Sequence, residues 1–291
     1  MEKIIYILLF IFPLLFISCG NEERDPNSMS VNELVNKGAE LYDEKNHSEA
    51  IKYFKLAADQ GYSKAQNNLG LMYDKGLGVI QNYSEAVRLY KLAADQGLAE
   101  AQNNLGTMYA QGLGVTQSYS ESFKYFKLSA EQGHSEAQNN LGTMYAQGLG
   151  ITQNYFESAK YYKLAAEQGN SGAQTRLGLL YFHGYGVTQS YSEAIKYFKL
   201  AADQGYAPAQ DQLGFAYENG YGVKQSDVEA IKYYKLSADQ GYSGAQYNLG
   251  YMYENGYGVK QSDTEAIKYY KLAADQGVLD AKKALEIMKN K

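Results

Sequence analysis

Three prolines, one cysteine and no tryptophan occur in this chain of 291 residues. With Cys19 as the sole thiol, no disulfide can staple the folded chain, which must hold together by packing alone. Net positive charge is also absent. The formal charge is −5 and no Lys/Arg cluster interrupts an even spread of acids. That excludes binding led by nucleic-acid phosphates and leaves the charge a matter of solubility. Histidine offers metal chemistry little. His47, His134 and His183 are far apart, and no two of them have ligand spacing. What abounds is tyrosine, 30 residues of it, whose apolar ring and polar tip suit half-buried helix positions and binding surfaces alike.

Long apolar runs are absent with one exception. Ile4 to Ile17 is apolar apart from Tyr6 and Pro13, follows Lys3, and ends in Phe16-Ile17-Ser18-Cys19-Gly20. At about fourteen residues it is too short to span a bilayer as a helix and has the length of a signal-peptide core. The sequence around Cys19 resembles a bacterial lipobox, which implies cleavage before Cys19 and lipidation of its thiol. Phe16 stands where such motifs usually carry leucine. Residues 1–19 are therefore expected to be a lipoprotein signal peptide and residues 20–30 a polar, flexible tether. The mature protein is expected to be exported to the cell envelope and anchored to a membrane through Cys19, on a periplasmic or cell-surface face.

From residue 31 the chain is periodic. Leu-Gly pairs recur at Leu69-Gly70, Leu105-Gly106, Leu141-Gly142, Leu177-Gly178, Leu213-Gly214 and Leu249-Gly250, always 36 residues apart. Gln-Gly pairs end at Gly61, Gly97, Gly133, Gly169, Gly205, Gly241 and Gly277 with the same spacing. This is a repeat protein. Within residues 63–98, Ala65, Leu69, Met72 and Tyr73 lie on one face of a first helix, which Gly76 stops as a left-handed cap. A second helix starts at Asn82. Glu85, three residues on, completes a capping-box pattern that recurs from Asn46/Glu49 to Ser262/Glu265. Its predicted buried face is Ala86, Val87, Tyr90, Ala93 and Ala94, widened by Leu89 and Leu92. A stripe that wide predicts contact with two neighbours in a stacked solenoid. Gly70 and its equivalents lie inside the first helix, where glycine costs about 1 kcal/mol relative to alanine. Six such positions predict close approach of the partner helix.

These motifs, AQNNLG, the following MY, the GLGV loop, YSEA and the closing KLAADQG, resemble the Sel-one-like repeat, a relative of the tetratricopeptide repeat. The resemblance implies an all-α, right-handed α/α solenoid of about seven helix pairs and a C-terminal capping helix. Residues 31–62 resemble the plainer tetratricopeptide form, lacking a four-residue loop; 63–278 are six repeats; 279–291 form the lysine-rich cap.

Catalytic signatures do not emerge. The Gly-x-Gly loops follow helices rather than strands, so they are turns and not phosphate cradles. Glu85 and Asp95 recur in structural positions in every unit. No cofactor or metal is expected. The resemblance also touches disulfide-bonded relatives linked to β-lactam hydrolysis, so an envelope hydrolase acting on cell-wall material or β-lactams is the alternative. This chain has no such disulfides.

The resemblance further implies that first helices line a concave groove for a protein or peptide partner. Exposed groove positions are then Lys64, Asn67, Leu71, Asp74, Lys75 and their equivalents. Units two to four offer mostly small polar groups there, as in Asn103, Thr107, Ala110 and Gln111. Units five to seven turn aromatic and acidic. The expected partner-binding residues are Phe182, His183, Phe215, Glu218, Tyr247, Tyr251 and Glu254, facing a partner with basic and apolar groups. The same rings could instead fill gaps between adjacent first helices.

Overall fold

In the computed structural model, which describes residues 25–289, fifteen α-helices follow one another among the described residues, with no strand. A short 3-10 turn, Pro26–Ser28, precedes α1 (Val31–Asp43) and α2 (His47–Asp59). Helix pairs then repeat as α3 (Ser63–Lys75) and α4 (Tyr83–Asp95), α5 (Ala99–Gln111) and α6 (Tyr119–Glu131), and α7 (Ser135–Gln147) and α8 (Tyr155–Glu167). They continue as α9 (Ser171–His183) and α10 (Tyr191–Asp203), α11 (Ala207–Asn219) and α12 (Asp227–Ala238), and α13 (Ser243–Asn255) and α14 (Asp263–Asp275), closed by α15 (Leu279–Lys289). Each helix packs on its chain neighbours, giving an all-α solenoid. Part of the expected tether belongs to the folded body. Ser30 caps α1 in a full capping box with Glu33, and Met29 packs against the first core cluster.

The interior glycines are explained by a ring rather than by backbone. A Cβ on Gly70 would lie 2.9 Å from Tyr90 Cδ1, and on Gly142 2.7 Å from Tyr162 Cδ1. The aromatic of each second helix thus lies flat on the glycine of its first helix. The second glycine of each loop has a different duty. Gly150 has φ +70°, and a Cβ there would meet the backbone carbon of Tyr119 at 2.5 Å. Each loop therefore rests on the N-terminus of the preceding second helix, a left-handed turn at a close approach. The first unit lacks this loop, and Lys45 makes its turn with φ 63°.

A glutamine ladder stitches the repeats. Buried Gln138 donates to the Ala130 carbonyl at 3.3 Å and accepts from Gln168 Nε2 at 2.8 Å. Gln66, Gln102, Gln174, Gln210 and Gln246 make the same pair of bonds. The recurrent Ala-Gln and Gln-Gly pairs are the two sides of this ladder, and each buried amide is thereby satisfied.

Two expectations are corrected. The capping boxes of the second helices are one-sided: Asn82 Oδ1 accepts from the Glu85 N–H at 3.1 Å, but the Glu85 carboxylate turns to Arg88. The reason is that the Asn82 N–H already donates to the Tyr73 carbonyl at 2.9 Å, leaving the glutamate nothing to cap. The freed glutamates pair with the cation three residues on, as in Glu157–Lys160 and Glu193–Lys196. Asn46 makes no side-chain cap bond at all. Leu89 is buried as expected, but Leu92 is 41% exposed, and Leu128, Leu164, Leu200, Leu236 and Leu272 resemble it.

Tyrosine is largely structural. Tyr109–Tyr125, Tyr145–Tyr161, Tyr181–Tyr197, Tyr217–Tyr233 and Tyr253–Tyr269 stack with centroids 5.5–5.7 Å apart, one pair in each of units three to seven. A lysine ammonium lies over the outer ring in each, 4.8 Å away for Lys268 on Tyr269, a contact worth about 0.5–1 kcal/mol when exposed.

Candidate partner-binding face

The face formed by the first helices is more buried at its base than the periodicity predicts. Asn103 and Asn139 are buried rather than exposed. The cause is a second ladder. Asn104 Nδ2 donates to Asn67 Oδ1 at 3.0 Å, Asn140 to Asn103 at 3.1 Å, Arg176 Nη1 to Asn139 at 3.1 Å, and Asn248 to Asp211 Oδ1 at 3.0 Å. Each bond joins neighbouring first helices and covers the acceptor.

Phe182, His183 and Phe215 come together. The Phe182 ring lies 5.0 Å from Tyr191, 5.3 Å from Tyr221 and 6.2 Å from Phe215, and His183 stacks on Tyr185 at 5.3 Å. Two repeats earlier, the equivalents of Phe182, Tyr191, Phe215 and Tyr221 are Ala110, Tyr119, Thr143 and Leu149. There the small side chains leave a cleft of about 180 Å³ between units three and four. Phe182, half-buried, therefore fills a gap between repeats. In units five to seven the exposed rings are Tyr185 at 48%, Phe215 at 39%, Tyr251 at 40% and Tyr257 at 43%; in units three and four Tyr119 and Phe156 are also exposed. Tyr247 is half-buried against the last core cluster, 5.7 Å from Tyr270.

The two expected acids are not free headgroups. Glu218 Oε2 accepts from the Tyr234 hydroxyl at 2.6 Å, and Glu254 Oε2 from Tyr270 at 2.8 Å. Burial, reinforced by those carboxylates, pushes both phenols far above the usual tyrosine range, so they stay protonated donors. Asp211, read from the sequence as an exposed groove position equivalent to Asn67 and not among the expected contacts, is a buried acid. It is 7% exposed, and burial pushes its carboxyl up to about 6, opposed by the Asn248 bond and aided by Glu218. Its column reads Asn67, Asn103, Asn139, Thr175, Asp211, Tyr247, so a charge entering a neutral series was the available signal. Its burial was not visible in sequence.

Among the described residues no three His, Cys, Asp or Glu side chains gather as a metal site, and no helix is long and apolar enough to cross a membrane. Cys19, the expected lipidation site, lies outside the described residues.

Two-helix units that stack only on their neighbours, stitched by repeated amide ladders, define an α/α helical-repeat solenoid. The Sel1 repeat model matches residues 37–62, 63–98, 99–134, 135–170, 171–206, 207–242 and 243–278, and the chain belongs to the Sel1 repeat family. The match takes in part of the loop-less first unit. A protective antigen of uropathogenic Escherichia coli with an SLR fold is 36% identical, with a TM-score of 0.77 over 91% of this chain and 58% of that one. This chain thus corresponds to a little over half of that antigen. A Sel1 repeat protein from Oxalobacter formigenes is 33% identical, with a TM-score of 0.78 over 82% of this chain and 96% of its own. No curated protein matches.

Proposed function

We propose that this protein is a lipid-anchored scaffold outside the cytoplasm that holds an extended segment of a protein partner along the first-helix face of units five to seven. Sel1 repeat proteins act as protein-interaction scaffolds. The observation that carries the location is the set of exposed rings, Tyr185, Phe215, Tyr251 and Tyr257. Their counterparts in units two to four are leucines, threonines or other non-aromatic residues. Large rigid rings at a surface are the anchors that binding energy concentrates on, because they bury much area and lose little conformational entropy. The anchor is inferred from the run before Cys19 and the cysteine itself.

The test is crosslinked capture from the native envelope with wild type and a Phe215→Ala/Tyr251→Ala pair. Those two rings are chosen because Phe182 and Tyr247 also pack internally. A partner retained by wild type and lost by the pair, at equal far-UV circular dichroism, supports the reading. Equal capture by both places the contact elsewhere. Anchoring is tested separately by metabolic labelling with a palmitate analogue: wild type should incorporate it and Cys19→Ser should not.

A further inference from the structure

The second helices neutralise their acids locally. Glu85, Glu157, Glu193, Glu229 and Glu265 each meet a lysine or arginine one turn on. Unit six breaks this habit on its first helix. Asp211 and Glu218 lie two turns apart on one face of α11, about 10 Å along the axis, with Phe215 between them. Neither forms an ion pair with any lysine or arginine among the described residues. A carboxylate removed from water without a cationic partner is costly, and only its hydrogen bonds offset the loss. Asp211 has one such bond among the described residues: Asn248 donates to Oδ1, and none of them donates to Oδ2.

The neighbouring helix leaves that oxygen approachable. Position 244 is glycine, and a Cβ built there would stand 3.6 Å from Asp211 Oδ2 and 3.1 Å from the Tyr242 ring, which flanks the same space. The equivalent positions carry Lys64, Glu100, Glu136, Gly172 and Pro208, and at Gly172 the Arg176 guanidinium lies 3.0 Å from where a Cβ would stand. The groups bearing on Asp211 are Glu218 on its own helix, the Tyr234 hydroxyl from α12, and Tyr242 just before α13. Arg176 on α9 is engaged by Asn139 instead. The surroundings are thus aromatic, acidic and without a counter-charge.

We propose that Asp211 selects the partner's charge: its Oδ2, left open by Gly244, receives the guanidinium or ammonium of a basic residue in the bound segment while neighbouring apolar residues lie on Phe215 and Tyr251. A guanidinium there would gain a charge-assisted hydrogen bond and stand near aromatic faces, the two contacts that favour arginine at interfaces. This inference rests on the proposed groove reading and adds to it the residue that decides specificity.

A random twelve-residue peptide library displayed on phage is panned on the full chain, and recovered peptides are measured by fluorescence polarisation. Asp211→Asn is the matched variant, since asparagine occupies the same ladder position at Asn103 and Asn139. Wild type should enrich arginine or lysine beside apolar residues. Asp211→Asn should bind those peptides about tenfold more weakly, the scale of one hydrogen bond to a charged group, and lose the basic enrichment. Wild-type affinity should also fall as pH drops through about 6, while that of Asp211→Asn stays flat. Basic peptides that ignore Asp211→Asn, or binders without basic residues, overturn the charge-selecting role. The groove reading survives in that case if Phe215→Ala/Tyr251→Ala abolishes binding. Peptides indifferent to both variants, or a library that yields no binder, overturn both.

Discussion

Replacing Asp211 by asparagine should stabilise the free protein, by an amount set by pH. Burial moves its carboxyl from the usual 3.8 to about 6. A rise of roughly two units corresponds to about 3 kcal/mol of disfavoured ionisation, at 1.36 kcal/mol per unit. Because the folded value lies above the unfolded one, the native state holds the proton more tightly. The whole penalty is present above about pH 6 and disappears as pH falls toward 4. Asparagine keeps the acceptor for Asn248 and carries no charge, so the penalty is removed at every pH. At pH 7.5 the variant should gain up to about 3 kcal/mol, a rise in Tm of about 6 °C for a chain of this length. By pH 4 most of the difference should be gone. Thermal melts followed by far-UV circular dichroism at half-unit steps from pH 4 to 8 give the curve. A variant no more stable than wild type at pH 7.5, or a difference that ignores pH, refutes the desolvated carboxylate.

Further outcomes follow from the packing. Gly142→Leu drives a side chain into the Tyr162 ring and should lower stability by at least 1–3 kcal/mol, the usual range for overpacking, read as a sharply lower Tm. Gly150→Ala combines a φ of +70° with a clash on the Tyr119 backbone, and should increase amide hydrogen exchange where units three and four meet. Gln138→Leu removes both rungs at one ladder position, two hydrogen bonds in all, while the Ala130 carbonyl keeps the Gly133 N–H and the Gln168 amide keeps the Leu164 carbonyl. A loss of about 1–3 kcal/mol in urea unfolding is expected. Tyr234→Phe removes the donor to Glu218 and should cost about 1.5–3 kcal/mol, the scale of a hydrogen bond to a charged group.

The sequence alone determined the period, the helix pairs, the left-handed caps and the all-α repeat class, because each follows from local chemistry repeated without interruption. A glycine after an apolar stripe stops a helix wherever it occurs, and six copies of one pattern must stack in one way. It also marked where the columns change character. Tertiary structure decided what those changes mean. Phe182 and Phe215 read alike in sequence, but one fills the cleft that Ala110 leaves empty and the other stays at the surface. Glu218 reads as a free acid and is held by a tyrosine sixteen residues away. The capping glutamates read as backbone caps, yet the carbonyl of the first helix had already taken the N–H they would have bonded. Asp211 looked like one more polar residue on an exposed stripe. Burial depends on which neighbouring helix covers a position, and a neighbour one repeat away is invisible to a helical period. That is why the tyrosine surplus, which in sequence suited half-buried helix positions and binding surfaces alike, resolves mostly into stacked pairs and core, with a few exposed rings and one buried carboxylate left for the proposed site.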